Sequence, residues 1–270
     1  MSVTPRTQAE LLAQAQDACV RSKVRSPSRL ARQLNVGFNV AAALLATIER
    51  EGSAKGGRAS QDLPHRISNA SAKGMSCCST AEVEDQWLRP SKGVAITTKR
   101  LTLRGWRHSD IAPFETHCNT AAVMHYLGGV QTREALLEDI IYFMECERDG
   151  CTLWVTEKRM DGAFLGFCGL VDVIDEGSPV EGELEIGWRI REDEWRRGYA
   201  EEAAQAALTH AFEVLEAEQV VARAAVVNEP SRALMRKLGM AHQRQLDHTP
   251  SDTSRPLVVH VVSRAEWLAR

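Results

Sequence analysis

The chain has 270 residues, 44% of them hydrophobic, which suits one large domain or two smaller ones with a real core. Its formal net charge of −3 rules out a chain drawn by overall charge to nucleic acid or an anionic membrane. The charge is uneven, however. Residues 1–60 carry nine Lys/Arg against four acids, so they sum to +5 and leave −8 for the rest, a basic head on an acidic body. The seven cysteines (Cys19, Cys77, Cys78, Cys118, Cys146, Cys151, Cys168) are odd in number and lack metal-ligand spacing, so no metal is expected. No charged start followed by an apolar run marks a leader, and no stretch of about 18 apolar residues could span a bilayer. The expectation is a reduced, cytoplasmic protein without membrane contact.

The first element opens at Thr7-Gln8-Ala9-Glu10, a capping box in which hydroxyl and carboxylate satisfy free amides at a helix start. Leu11, Leu12, Ala15 and Ala18 follow at helical spacing. Ser26-Pro27 signals a second start, with Leu30, Ala31 and Leu34 on one face. After the tight turn Val36-Gly37-Phe38, Asn39 caps a third helix bearing Ala41, Leu44, Leu45 and Ile48, and Gly52 ends it. Three helices with a Gly turn before the last form a helix-turn-helix pattern.

Arg29 to Gly52, with its central Gly37-Phe38-Asn39-Val40-Ala41-Ala42, resembles the winged-helix gamma domain of the FtsK DNA translocases. The resemblance implies DNA contact by residues 1–55. Val40 and Ala43 stand where that family usually has arginines, and Ser53 to Ser60 lacks the alternation of a wing. A relic and a dimerisation module, the latter implying a homodimer, stay open beside DNA binding. Residues 56–95 read as a linker rich in Ser, Ala, Gly and Lys, with Met75 a candidate internal start.

From residue 96 to 270 strands and helices alternate. Strands are expected over Arg100–Trp106, Thr152–Glu157, Phe164–Ile174, Glu183–Arg191, Val220–Val227 and Leu257–Ser263, with an Asp161-Gly162 turn between the second and third. Helices are expected from Ser109-Asp110, over Thr132–Cys146, Ala200–Glu216 and Ser231–Leu238. The fold class is α/β, one domain with a mixed sheet.

The most informative stretch is Glu185-Ile186-Gly187-Trp188-Arg189-Ile190, then Trp195-Arg196-Arg197-Gly198-Tyr199-Ala200, then a long helix. First-turn amides of a helix lack internal partners and carry positive potential, so strand, glycine loop and helix start make an anion site. Gly198 lets the backbone approach a phosphate, and Arg196 and Arg197 add charge; a diphosphate suits it. An ordinary βα turn is the alternative on these residues alone.

This stretch resembles the acetyl-CoA motif of the GNAT superfamily. Trp195 stands where most members have Gln or Arg, as in the branch of the ribosomal-protein alanine N-acetyltransferases. Thr98 to Arg104, Val227-Asn228-Glu229-Pro230-Ser231, Leu238-Gly239-Met240 and Val261 to Leu268 resemble further elements of that branch, so the likeness runs from Thr97 to Ala269. It implies a mixed sheet with splayed central strands and a closing strand over Val261–Leu268. Backbone groups of Gly187, Trp188 and Arg189 would hold the pantetheine arm, Arg196, Arg197, Gly198, Tyr199 and Ala200 the diphosphate. Asn228 would reach the pantetheine, tie the splayed edge or cap the next helix. The reaction implied is attack of a neutral amine on the thioester. Glu185, which alternation puts on one face with Glu183, is the first choice for the base, and Ser231 for the proton donor to the thiolate. Tyr199 is a second hydroxyl, better placed for a structural or cofactor contact. Asp247-His248 sits where relatives border the acceptor pocket, and a solvated loop is the other reading. The acceptor is expected to be a primary amine, as a protein N-terminus or a small molecule. An aminoglycoside-type antibiotic acetyltransferase and a DNA-associated acetyl-CoA sensor are the alternatives.

Overall fold

The computed structural model describes residues 7–21, 34, 44, 47–48, 95–147, 151–175, 177–250 and 255–270. These divide into two compact units. One carries the first helix together with Ile174–Gly177 and Glu181–Glu183; the other carries the sheet. In the first unit α1 spans Gln8–Arg21 and begins on the expected capping box. The Thr7 amide donates to Glu10 Oε2 (2.7 Å) and the Glu10 amide to Thr7 Oγ1 (3.3 Å). Leu34 and Leu44 are helical and buried. The Gly37-Phe38-Asn39 turn, Val40, Ala43, Met75 and the linker up to residue 94 lie outside the described residues, so the expected helix-turn-helix arrangement stays a reading of the sequence.

The second unit is built on eight strands: β1 (Ile96–Thr97), β2 (Leu101–Arg104), β3 (Leu153–Lys158), β4 (Phe164–Asp172), β5 (Leu184–Ile190), β6 (Gln219–Ala225), β7 (Ala241–His242) and β8 (Leu257–Ser263). Their order is β1-β2-β3-β4-β5-β6-β8-β7, antiparallel throughout except for the parallel pair β5–β6. The mixed sheet is therefore as expected. The Asp161-Gly162 turn joins β3 to β4, with Gly162 at φ 70° and Asp161 Oδ1 accepting from the Ala163 amide (3.0 Å).

One face is covered by α4 (Tyr199–Glu213). Ala203, Ala204, Ala207 and Ala211 recur at helical spacing, and their small side chains let the helix lie close on the strands. Trp154, Leu165, Leu170, Leu184 and Phe212 fill that layer with almost no exposure, each contributing about 2–3 kcal/mol by its removal from water. The other face is covered by α2 (Ile111–Cys118) and α3 (Arg133–Glu147), around Trp106, Phe114, Leu136, Ile140 and Phe167. A short 3-10 turn, His108–Asp110, leads into α2, and Arg104 grips Asp110 with both terminal nitrogens (2.8 and 2.9 Å). The last strand, Leu257–Ser263, is the one expected from its residues, but the closing strand to Leu268 that the family resemblance implied is not formed. The Ser263 hydroxyl accepts from the Glu266 amide (3.3 Å) while Glu266 accepts from the Ser263 amide (2.8 Å). This capping box starts α6 (Arg264–Leu268) in place of a continued strand.

Candidate active site

The site is organised by β5, whose two edges are treated differently. Toward β4 it pairs over its full length, from Leu184↔Asp172 to Ile190↔Gly166. Toward β6 the register is a single pair, Glu185↔Val221. Past that point, among the described residues, Gly187 to Ile190 face no strand on this side. Their N–H and C=O groups form an open edge that an extended ligand can use as a strand would. β4 is bulged beside this stretch: Leu165 is an extra residue between Phe164, which pairs Glu157, and Gly166, which pairs Thr156, and such a bulge increases local twist. Gly166 adopts φ 136° there, and a Cβ on it would stand 2.0 Å from the Arg189 carbonyl oxygen.

After β5 the chain makes a 3-10 turn, Glu192–Glu194, and enters α4 through residues 195–198. Trp195 donates from its indole to the Ile190 carbonyl (2.6 Å), closing the end of the strand; this accounts for Trp at that position. Arg196 (φ 61°) and Gly198 (φ 78°) are both left-handed, which turns neighbouring backbone N–H groups into one concavity. Gly198 is the N-cap of α4, and no side chain caps that helix. Two of the three acids in the turn are paired, Asp193 with Arg191 (2.6 Å) and Glu194 with Lys158 (2.5 Å) and Arg197 (3.2 Å). The Glu194 hydrogen bond holds the Lys158 ammonium above its usual range. Arg196 and Glu192 are both exposed and free of ion pairs among the described residues. Ala200, in the first turn of α4, packs on the core with a side chain too small to obstruct the concavity.

Tyr199 makes its contacts through its ring. Its ring packs on the core, with the Arg100 guanidinium 4.6 Å and the Lys158 ammonium 5.6 Å from its centre. Arg100 also donates to the Arg197 carbonyl (2.9 Å) and to Glu202 (2.5 Å), bracing the turn from β2. Burial pushes the Glu202 carboxyl up, but donors from Thr98 and Arg100 outweigh it and hold it below its ordinary value. A cleft of about 450 Å³ lined by Arg100, Gly198, Glu202 and Gln205 starts at the turn and runs along the flank of α4, outside the split between β5 and β6.

Because β5 and β6 are parallel, their C-terminal ends share one end of the sheet, the usual place for ligands in such sheets. Asn228 lies three residues past β6 and caps α5 (Glu229–Lys237), accepting from the Ser231 amide through Oδ1 (3.2 Å). The cap reading of Asn228 is thus realised, with its side-chain NH2 left uncommitted. The Ser231 hydroxyl makes no hydrogen bond among the described residues. Glu185 stands where the two strands separate, its carboxylate gripped by Arg223 Nη2 (2.8 Å) and Nε (3.1 Å). Each carboxylate oxygen keeps a second lone pair beside its Arg223 contact. Asp247-His248 fastens strands. Asp247 accepts from His242 (2.9 Å) and the Val259 amide (3.0 Å), and His248 bridges to Leu257 and lies 3.3 Å from the Ser178 hydroxyl. Asp247 is exposed and lies outside any strand, so the segment is a solvent-facing loop pinned to the sheet edge. Arg223, Arg100, Lys158 and Glu202 carried no sequence signal, since their partners lie roughly 36 to over 100 residues away.

Residues 100–241 match the family model of the acetyltransferase (GNAT) domain, just over half of the chain. The chain belongs to the GNAT acetyltransferases. An uncharacterized protein of Bacillus subtilis, YkkB, is 30% identical over 153 residues, covering 56% of this chain and 87% of that protein. The FsC-acetyl coenzyme A-N(2)-transacetylase of Aspergillus fumigatus is 30% identical over 146 residues, 51% of this chain and 61% of that enzyme. Among solved structures, a GNAT-family acetyltransferase from Bacillus anthracis superposes with a TM-score of 0.53 at 22% identity, over 64% of this chain and all of that one. RimL, a ribosomal L7/L12 alpha-N-protein acetyltransferase in complex with coenzyme A, superposes at 0.52 with 15% identity, over 63% of this chain and 98% of its own. This GNAT acetyltransferase is accordingly an acetyl-CoA-dependent acyltransferase. Among the described residues no group of His, Cys, Asp or Glu could hold a metal ion, and no helix is long and apolar enough to cross a membrane.

Proposed function

We propose that this enzyme transfers acetyl from acetyl-CoA to a primary amine, a protein N-terminus as in the RimL-like branch or the amine of a small molecule. The observation that carries the reading is the meeting of three features at one end of the sheet. These are the unpaired β5 edge at Gly187, Trp188 and Arg189, the left-handed turn through Arg196, Arg197 and Gly198 into Ala200, and the uncommitted Ser231 hydroxyl. The edge aligns the pantetheine, with the Asn228 NH2 as an added donor. The turn amides bind the diphosphate. Glu185, paired with Arg223, accepts the proton of the incoming ammonium through water, and Ser231 donates to the departing thiolate. Residues 96–270 form the catalytic domain, residues 1–55 a separate helical domain and residues 56–95 the linker between them.

A screen of acetyl-CoA consumption against peptide N-termini, polyamines and aminoglycosides tests the acceptor class. Glu185→Gln is expected to lower kcat by roughly a hundredfold or more and to change the pH–rate profile, with acetyl-CoA affinity preserved. An unaltered profile removes Glu185 as the base.

A further inference from the structure

Alternation along β5 sets Glu185, Gly187 and Arg189 on the face opposite α4, whereas Ile186, Trp188 and Ile190 pack toward that helix. The two charged residues are not in equal circumstances. Glu185 has its counterion in Arg223, but Arg189 has none: among the described residues no carboxylate forms an ion pair with it. Its guanidinium lies over the rings of Phe114 (5.3 Å) and Phe167 (5.1 Å), which fix its plane. Nε and Nη1 are both shielded from water without a hydrogen-bond partner. Asp139 acts on it only at a distance, favouring the cation without an ion pair among the described residues, and accepts from Gln131 (2.8 Å). Burial pushes the Cys118 thiol up to about 12, so it is neutral at pH 7. A buried guanidinium left like this is unfavourable, and burial pulls it below its ordinary range. Between the two charges lies a gap. A Cβ built on Gly187 meets, within 4 Å, only the Leu153 side chain at 3.4 Å, so the middle of the strand face is open.

We infer that Arg189 is the acceptor-recognition residue, pairing with a carboxylate carried by the amine substrate that lies over Gly187. The inference rests on the β5 edge being the site of acetyl transfer. The diphosphate of the cofactor is not the missing anion, because its turn leads into α4 on the opposite face of the sheet. Gly187 and Arg189 are two residues apart, about 7 Å along a strand, so the carboxylate sits a few bonds from the amine. The substrate class is therefore an amino-carboxylate, as a free amino acid-like molecule or as the acidic N-terminus of a peptide, and not a purely cationic polyamine or aminoglycoside.

The test uses the full chain, acetyl-CoA and matched acceptors: L-amino acids against their carboxamides, peptides beginning with Asp or Glu against those beginning with Asn or Gln, and spermidine. Within whichever source is turned over, the acid form is expected to exceed its amide by tenfold or more in kcat/KM, chiefly through KM. Arg189→Met should bring that ratio to within about twofold of one, and Arg189→Lys should keep part of it. The melting temperature of Arg189→Met should hold or rise, because an uncompensated buried charge has gone. Equal use of acid and amide by the unaltered enzyme, a preference for spermidine, or a loss in Arg189→Met that is proportional for acid and amide overturns the inference. A matching fall in acetyl-CoA affinity in Arg189→Met would place Arg189 on the cofactor and overturn it too. Failure of the unaltered chain to bind acetyl-CoA would instead remove the site assignment beneath it.

Discussion

Two residues show how strongly local surroundings set a role. Gly198 has space for a side chain, since an added Cβ would meet only an Arg100 nitrogen at 3.4 Å, but its φ of 78° disfavours any L residue by about 1 kcal/mol. In the proposed site its role is the bare backbone it offers to phosphate. Gly198→Asp is expected to abolish acetyl-CoA binding by repulsion and obstruction while leaving the fold intact, measured by calorimetric titration beside circular dichroism; unchanged affinity would refute the turn as the diphosphate site. His260 is stacked on His242 (4.9 Å between rings) and nearly fully buried, with Nδ1 unpartnered. Burial, then the charges of His242, Arg232 and Arg236, bring its pKa from 6.5 to about 4. Because the unfolded chain protonates first, this contribution to stability is complete above pH 6.5 and is lost as pH falls toward 4, up to about 3 kcal/mol. Urea denaturation of His260→Phe should show a flatter loss of stability across that window than the parent.

At the scale of elements, the bulge of β4 is the part on which the site depends. Gly166→Ala would force a methyl to within 2.0 Å of the Arg189 carbonyl oxygen, at a φ of 136°. Relief requires β4 and β5 to part where β5 presents its open edge. The expected loss is about 3 kcal/mol or more, a fall of roughly 6–12 °C in melting temperature, together with weakened acetyl-CoA binding. Gly162→Ala is the control. It sits at φ 70° in the β3–β4 turn with nothing within 4 Å, so strain of about 1 kcal/mol and normal binding are expected. A scanning calorimetry trace in which the two variants melt together would show that the close approach of β4 to β5 is not what constrains Gly166.

For the whole molecule, the question is which stretch of chain suffices. The sheet unit holds the β5 edge, the α4 start, Asn228 and Ser231 within residues 96–270, and the family model falls within the same stretch. A chain of residues 96–270 is expected to fold and to consume acetyl-CoA with kcat/KM within about threefold of the full chain. Loss of activity despite a normal melting transition would assign residues 1–95 a part in catalysis. The basic head, +5 over residues 1–60, is where the DNA question belongs. A salt-sensitive gel shift with duplex DNA by the full chain, lost on removing residues 1–55, would support that role.

What could be read from the amino-acid sequence alone was whatever neighbouring residues encode. The Thr7–Glu10 capping box, the Asp161-Gly162 turn, the alternation of β5 and the glycine turn before α4 are local patterns, each set by steric and hydrogen-bonding rules over a few residues. The family likeness was legible for the same reason, since its motifs are contiguous. The Ser263–Glu266 capping box was equally local; the strand read from the residues ended there correctly, and only the longer strand implied by the resemblance overlooked it. What only the tertiary structure decided are the pairings between distant segments: Glu185 held by Arg223, Arg100 bracing both Arg197 and Glu202, and Arg189 left between Phe114 and Phe167 without an anion. These depend on which strands become neighbours. Strand order is settled by packing over the whole sheet, and no window of sequence contains it.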